Sequence, residues 1–335
     1  MAKPQTVPVF VVLPPRTMLL DVAGPLEVLG RANAEQAEVS FAVRYVGVNS
    51  TVETSIGILL AEIEPLPKAL PANAMVVIVG QVDKAMKRAG SSGSTTVRDQ
   101  EIAIVEWLRT TIKPHHKLVA ICSGALFAGR AGLLDGFTCT THHLDCAELA
   151  LVAPRAKVLG NRLYVQDGQI YTSAGVTSGI DLMLYVLNQF LGQECTLAVA
   201  RYLVVYLRRS GADPQISPWL DGRNHIHPAI HRVQDAIASD PTKAWTREQL
   251  ASIAGASGRH LSRLFHEHVG MPIIDYRNRL RVALARELLS QSQLDMENVA
   301  EQSGFESTRQ LRRAWSRVYS SSPRHARAVQ EALHS

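Results

Sequence analysis

One stretch near the C-terminal end of the chain is written twice, and no other feature restricts the fold as much. The first copy reads LASIAGASGRHLSRLF from Leu250 to Phe265, and the second reads VAEQSGFESTRQLRRAW from Val299 to Trp315. Ser257, Arg259, Leu261, Arg263 and Phe265 return 50 positions later as Ser307, Arg309, Leu311, Arg313 and Trp315. Leu250 and Ala251 return only 49 positions later, as Val299 and Ala300, so the second copy carries one extra residue in its middle. A repeat that keeps its apolar positions across an insertion is one supersecondary unit used twice, with the insertion in a turn.

Spacing identifies the unit. Leu261, Leu264, Phe265 and Val269 fall at i, i+3, i+4 and i+8 and predict one buried helical stripe. Arg259, Ser262, Arg263 and His266 then face outward. In the second copy Leu311, Ala314, Trp315 and Val318 form the stripe, and Thr308, Arg309, Arg312 and Arg313 face outward. Ser257 and Ser307 stand where an N-cap hydroxyl would satisfy a free backbone N–H. Thr246, with Gln249 three residues on, has the capping-box spacing, and Asp295 opens the second unit. Two helix-turn-helix units with arginines on their outer faces imply a double-headed reader of DNA.

Charge agrees with this. From Ile226 to Ser335 there are 15 Lys and Arg against 11 Asp and Glu, while the rest of the chain holds 20 against 19. Only Lys243 among those 15 cations is lysine. The planar fork of arginine suits phosphate and guanine edges, although an Arg-rich solvated face would have the same composition. At 335 residues about two domains are expected. The four cysteines, Cys122, Cys139, Cys146 and Cys195, show no paired spacing, so neither a metal site nor a disulfide framework is implied. The opening MAKPQTVPVFVVLPP lacks a signal-peptide design, and no apolar run reaches the roughly 18 residues of a membrane span. A cytoplasmic protein without membrane contact is expected.

From Val7 to about Gly192, short β-branched runs alternate with helical stretches. Strands are predicted at Val9–Leu13, Phe41–Val48, Met75–Val79, Leu118–Ile121 and Ile170–Thr172, and helices at Leu26–Asn33, Glu101–Thr111, Gly124–Ala131 and Gly179–Leu191. This alternation predicts an α/β unit with a mostly parallel sheet and helices on both faces, followed by an all-α unit. AGSSGSTT at 89–96 reads as a flexible loop. The Pro-, Gly- and Asp-rich stretch Arg208–Asn224 reads as a linker, which gives an N-terminal domain over 1–207, a linker over 208–225 and a C-terminal domain over 226–335.

The segment VAICSGALFAGRAGLL puts Cys122 on a tight strand-to-helix turn. A helix N-terminus there would lower the thiol pKa, as at a nucleophile elbow; an ordinary buried cysteine in a βα turn is the alternative. Asp21 is expected at the end of the first strand near the same sheet edge, and His142 of the segment Thr140–His143 just beyond the elbow helix. Together they would form a pocket where ligands bind in open α/β sheets. Arg16 beside the first strand either meets an anionic ligand or lies on the surface.

These segments carry a resemblance. The two helix-turn-helix units, with GMPIIDYRNRLRVALARELL between them, resemble the AraC/XylS DNA-binding domain. LLDVAGPLEVL, the AICSGA elbow, AGLLDG, TTHH and TSAGVTSGIDLMLYVL resemble the class I glutamine-amidotransferase-like fold of the ThiJ/PfpI group. Their order matches the GlxA-type subgroup of AraC regulators. The resemblance implies a flavodoxin-like N-terminal fold and a ligand-binding role for Asp21, Gly80, Cys122, Ser123 and His142, with no catalytic residue, cofactor or metal. Ser123 stands where peptidase-like members have histidine, which removes an adjacent general base; Ser320 and Ala326 replace a usual glycine and tyrosine.

By the same match, Arg259, Ser262 and Arg263 would read one major groove and Thr308, Arg309, Gln310 and Arg313 the next, about 34 Å away. The unlike outward residues and the longer second turn imply two unlike half-sites. The expected partners are promoter DNA, a small effector of amino-acid or amine type, RNA polymerase and a second copy of the chain. Two other readings stay open at this level: a thiol-dependent hydratase or amidase fused to a DNA-binding domain, and a redox sensor acting through Cys122.

Overall fold

The computed structural model describes residues 4–82, 96–205, 209–211, 213, 215, 219, 222–223, 225–319 and 322–323. Most of the predicted 89–96 loop, along with Ser320 and Ala326, lies outside the described residues. The chain divides into two compact units, Met1–Gln215 and Ile216–Ser335.

The first unit holds β1 (Gln5–Val12), α1 (Leu19–Glu35), β2 (Val39–Gly47), β3 (Val52–Glu53), β4 (Leu59–Leu60), β5 (Glu64–Pro65), β6 (Met75–Ile78), α2 (Val97–Thr111), β7 (Lys117–Ile121), α3 (Gly124–Arg130), β8 (Thr138–Cys139), α4 (Cys146–Val152), β9 (Lys157–Val158), β10 (Tyr164–Asp167), β11 (Ile170–Ser173) and α5 (Ser178–Tyr202). Its seven-stranded sheet has the order β10-β11-β7-β6-β1-β2-β5. All neighbours run parallel except β10 on β11. The period-two alternation of strands sorts the side chains. Val7, Val9 and Val11 of β1 join one core with α1 and α5; Phe10 and Val12 join the other with α2, α3 and α4. Each fully buried aliphatic side chain contributes about 1.5–3 kcal/mol, and this sets the register against one-residue slips.

Several boundaries differ from expectation by a few residues, β1 and α2 each starting four residues earlier, and two differences are larger in consequence. The apolar run Met18–Leu20 continues into α1 and not from the strand, so Asp21 lies in the first helical turn. The prolines at 14 and 15 end the strand before it. At the other end, α5 breaks at Gly192, which adopts φ 72°, one residue after the expected stop at Leu191, and a further helical segment follows.

The second unit holds α6 (Pro228–Ser239), α7 (Arg247–Ala254), α8 (Gly258–Val269), α9 (Ile273–Gln291), α10 (Met296–Gln302) and α11 (Thr308–Trp315). It has two lobes with separate cores. Tyr276 and Leu280 of α9 pack with α6, α7 and α8, whereas Val282, Ala285 and Leu289 pack with α10 and α11. One helix thus supplies a wall to both lobes. Residues inside the expected linker are held within one unit or the other: Arg209 and Gln215 bond within the first, and Trp219 packs into the first lobe of the second.

Candidate functional site

The strand order reverses between β1 and β6, and the loops after β1, β6, β7 and β11 converge beyond that point. Cys122 follows β7 with φ 55°, a left-handed conformation that turns the chain sharply into α3. The walls around it leave no room for a Cβ. One built on Gly175 (φ 78°) would lie 2.1 Å from Cys122 Cβ, and one on Gly80 would lie 2.5 Å from Asp21 Oδ2. Asp21 is fully buried and the thiol residue is 7% exposed.

Asp21 Oδ1 accepts the Val176 amide at 2.6 Å, and Val176 itself sits at φ 52°, a strained setting for a β-branched residue. Oδ2 lacks a donor of normal geometry, although the Gly80 amide and the Cys122 thiol lie close enough to ease its charge. Burial dominates, and the Asp21 pKa is pushed up to about 6. Burial and the facing Asp21 carboxylate also push the Cys122 thiol far up. The expected lowering by the α3 N-terminus is therefore overturned. A seven-residue helix does not offset removal from water next to an acid.

A pH test follows. The fold binds the Asp21 proton more tightly than the unfolded chain does. The stability tied to that proton is complete below the ordinary pKa of 3.8 and is lost as pH rises through about 6. That shift corresponds to about 3 kcal/mol. Asp21→Asn removes it, so the stability difference between variant and wild type is expected to change by about 3 kcal/mol in the variant's favour between about pH 4 and pH 8. Denaturant titrations across that range check this; parallel pH profiles would rule out a strained, proton-holding Asp21.

Ser123 Oγ donates to the Gln81 carbonyl at 3.1 Å and accepts the Gln81 amide at 2.9 Å, so its hydroxyl braces the loop after β6. The His142 ring lies 4.2 Å from that of His143, and burial with this neighbour pushes its pKa down. Among the described residues no hydrogen bond joins His142 to the thiol. The residue before it makes the contact: Thr141 Oγ1 donates to the Cys122 carbonyl at 2.8 Å. Arg16 is half-buried, with Glu101 Oε1 at 4.0 Å.

Gln215, 74 positions further along, donates through Nε2 to the Thr141 carbonyl at 2.8 Å and to the Arg162 carbonyl at 2.9 Å. Arg209 ion-pairs with buried Asp181 at 2.6 Å. The end of the first unit is thus tied to the loop that holds the elbow. Gly175, Val176, Gln81, Thr141 and Gln215 were not singled out by sequence. Gly175 and Val176 lie within the quoted TSAGVTSG segment, but no local pattern betrays positive φ at a valine.

In the second unit every expected cap is made. Ser257 accepts from His260, Ser307 from Gln310, Asp295 from Asn298, and Thr246 with Gln249 forms the full capping box. Caps Thr246 and Ser257 are 11 positions apart and caps Asp295 and Ser307 are 12 apart, so the extra residue lies in the second turn. Leu261, Phe265, Leu311 and Trp315 are buried, and Arg259, Ser262, Arg263, Arg309, Gln310 and Arg313 are exposed, with Thr308 half-buried. Some of these have local partners. Arg263 meets Glu267 at 3.0 Å, Gln310 meets Glu306 at 2.9 Å, and Ser262 Oγ turns back to the Gly258 carbonyl. The Arg263 pair is 63% and 55% exposed, so releasing it costs under about 1 kcal/mol.

A doubly wound α/β unit with a strained cysteine elbow, joined to a twin helix-turn-helix unit, defines the class. Matches to known proteins agree: the DJ-1/PfpI family model covers residues 7–189 and a helix-turn-helix domain model covers residues 250–328. The chain belongs to the DJ-1/PfpI family, and its C-terminal unit is an AraC-type helix-turn-helix domain. It is 27% identical over 226 residues to the HTH-type transcriptional regulator GbdR of Pseudomonas aeruginosa, covering 68% of this chain and 61% of that one. It is 30% identical over 207 residues to the HTH-type transcriptional regulator GlxA of Rhizobium meliloti, covering 62% and 64%. It is 29% identical over 238 residues to the HTH-type transcriptional regulator CdhR of Pseudomonas aeruginosa, covering 71% and 70%. The matched stretch thus spans less than two thirds of the length of GbdR and of GlxA. No helix among the described residues is long and apolar enough to cross a membrane.

Proposed function

We propose that the protein is a sequence-specific transcriptional regulator whose N-terminal unit binds a small metabolite and thereby sets how two reading helices engage promoter DNA. The observation that carries this is the pair α8 and α11, each buried by one apolar stripe, each capped by a serine and each presenting arginines to solvent. Arg259, Ser262 and Arg263 serve one groove, and Thr308, Arg309, Gln310 and Arg313 serve the next. The protein works as a dimer, and RNA polymerase is a further partner at the promoter.

The elbow supports binding over catalysis. A nucleophilic thiol must ionise, and burial beside Asp21 opposes that. The Ser123 hydroxyl is occupied by Gln81, and the base beside the thiol is the Asp21 carboxylate, whose charge itself disfavours a thiolate. What the elbow offers is a buried carboxylate with one under-satisfied oxygen. An ammonium or amide N–H would compensate it, which favours an amine- or amino-acid-like effector meeting Asp21, Gly80, Cys122, Ser123 and His142. Differential affinity for two states is required for any response. The hydrogen bonds Cys122–Thr141–Gln215 give that response a route to the end of the first unit.

The test is a thermal-shift screen of amino acids and amines, followed by DNA binding with and without the hit. Wild type is expected to bind a hit and change its DNA affinity. Gln215→Ala is expected to keep both affinities and lose most of the coupling between them, which in allosteric proteins is about 5- to 150-fold. Cys122→Ala is expected to keep a ligand response at reduced ligand affinity, since it removes one contact and leaves the Asp21 carboxylate and the Thr141 bond to the backbone carbonyl. Turnover of an amide or isocyanide that disappears in Cys122→Ala would instead establish the enzyme reading.

A further inference from the structure

The side chain of Arg281, near the middle of α9, is buried. It is 7% exposed, and its guanidinium spans the seam between the two lobes. Nε donates to the Pro241 carbonyl at 2.6 Å, and Nη2 donates to the Thr242 and Lys243 carbonyls at 2.8 and 3.0 Å. Those three carbonyls lie in succession on the segment that leads into α7, the first helix of the first reading unit. On its other side the guanidinium meets the turn of the second reading unit. A Cβ on Gly304, which has φ 82°, would lie 2.9 Å from Nε and 2.7 Å from Thr242 Cα. Arg281 Cζ is 6.0 Å from the centre of the Phe305 ring. The α11 cap, Ser307, follows two residues later.

Each lobe has its own core, so neither core fixes the angle of one lobe against the other about α9. Three successive carbonyls on a rigid fork hold that angle, because each lost bond leaves a buried donor unpaired. Burial and the neighbouring Arg277 push the Arg281 pKa down to about 10, so the charge is held at a cost that a merely space-filling residue would not incur.

We propose that Arg281 is a positioning residue that sets the spacing and phase of the two DNA half-sites without touching DNA. The proposal rests on the DNA-reading function above. Once one head is bound, binding of the second is intramolecular, and its effective concentration depends on how tightly the joint fixes the second head.

The experiment is selection of binding sites from random DNA duplexes by the full chain, for wild type, Arg281→Ala and Arg281→Lys, with folding checked by thermal melting. Wild type is expected to recover two half-sites at one centre-to-centre spacing. Arg281→Ala is expected to recover the same half-sites at several neighbouring spacings, with the best full site bound about tenfold more weakly and a single half-site bound equally well. Should Arg281→Ala not fold, Arg281→Lys decides, since it keeps the stem and charge but loses the three-carbonyl fork. A single unchanged spacing in a folded variant overturns the proposal. Absence of any enriched sequence with wild type would instead remove the DNA-reading function on which it rests.

Discussion

Arg263→Ala combined with Arg313→Ala is expected to weaken specific DNA binding by about 30-fold to 10⁴-fold, the product of about 1–3 kcal/mol at each arginine. These residues are equivalent across the repeat, both exposed, and each lies two positions beyond a fully buried leucine, Leu261 or Leu311. They belong to separate lobes with separate cores, so their effects should add. Each single variant should relax the sequence preference of one half-site only. If an arginine contacts phosphate, the loss becomes uniform across sequences and the salt slope falls by about one. Fluorescence anisotropy titrations at several salt concentrations separate these outcomes. Unchanged affinity and an unchanged slope in the double variant would mean that the two outer faces do not meet DNA.

Trp315→Ala is expected to remove about 3–5 kcal/mol from the second lobe. Trp315 is 1% exposed, packs 4.8 Å from the Tyr319 ring, and is the largest fully buried side chain of its core. Helix α11 has only eight residues, too few to persist without tertiary packing. The lobe should therefore open locally, with faster hydrogen exchange in α10 and α11 and loss of full-site DNA binding. Phe265 and Tyr276 anchor a different core, so exchange in α8 should change far less. Equal acceleration in α8 and α11 would show that the lobes unfold as one body.

Much of this architecture was legible because it is local and periodic. The caps Thr246, Ser257, Asp295 and Ser307 lie three residues from the N–H groups they satisfy, and all four form. Alternation along Val7–Val12 fixes both faces of the central strand. The elbow is visible because a strand, a cysteine and a glycine-led helix are contiguous. What sequence concealed depends on distant approach. Asp21 is expected at a strand end but lies in the first turn of α1, and the Val176 amide that binds it is 155 positions away. The thiol was expected to be acidified, and burial with Asp21 reverses the sign. His142 is expected beside the thiol from its place just beyond the elbow helix; the side-chain bond from that segment to the elbow is Thr141 Oγ1 to the Cys122 carbonyl. Arg281 sits on an ordinary amphipathic pattern, and its partners 40, 39 and 38 positions back are invisible without the packing of both lobes.

The most direct test of two unlike heads held on one rigid helix is a hydroxyl-radical footprint of the full chain on its best selected DNA site. Two protected blocks on one face of the duplex, about 10 base pairs apart and over unlike sequences, are the expected result. A single protected block, or protection without sequence preference, would contradict it.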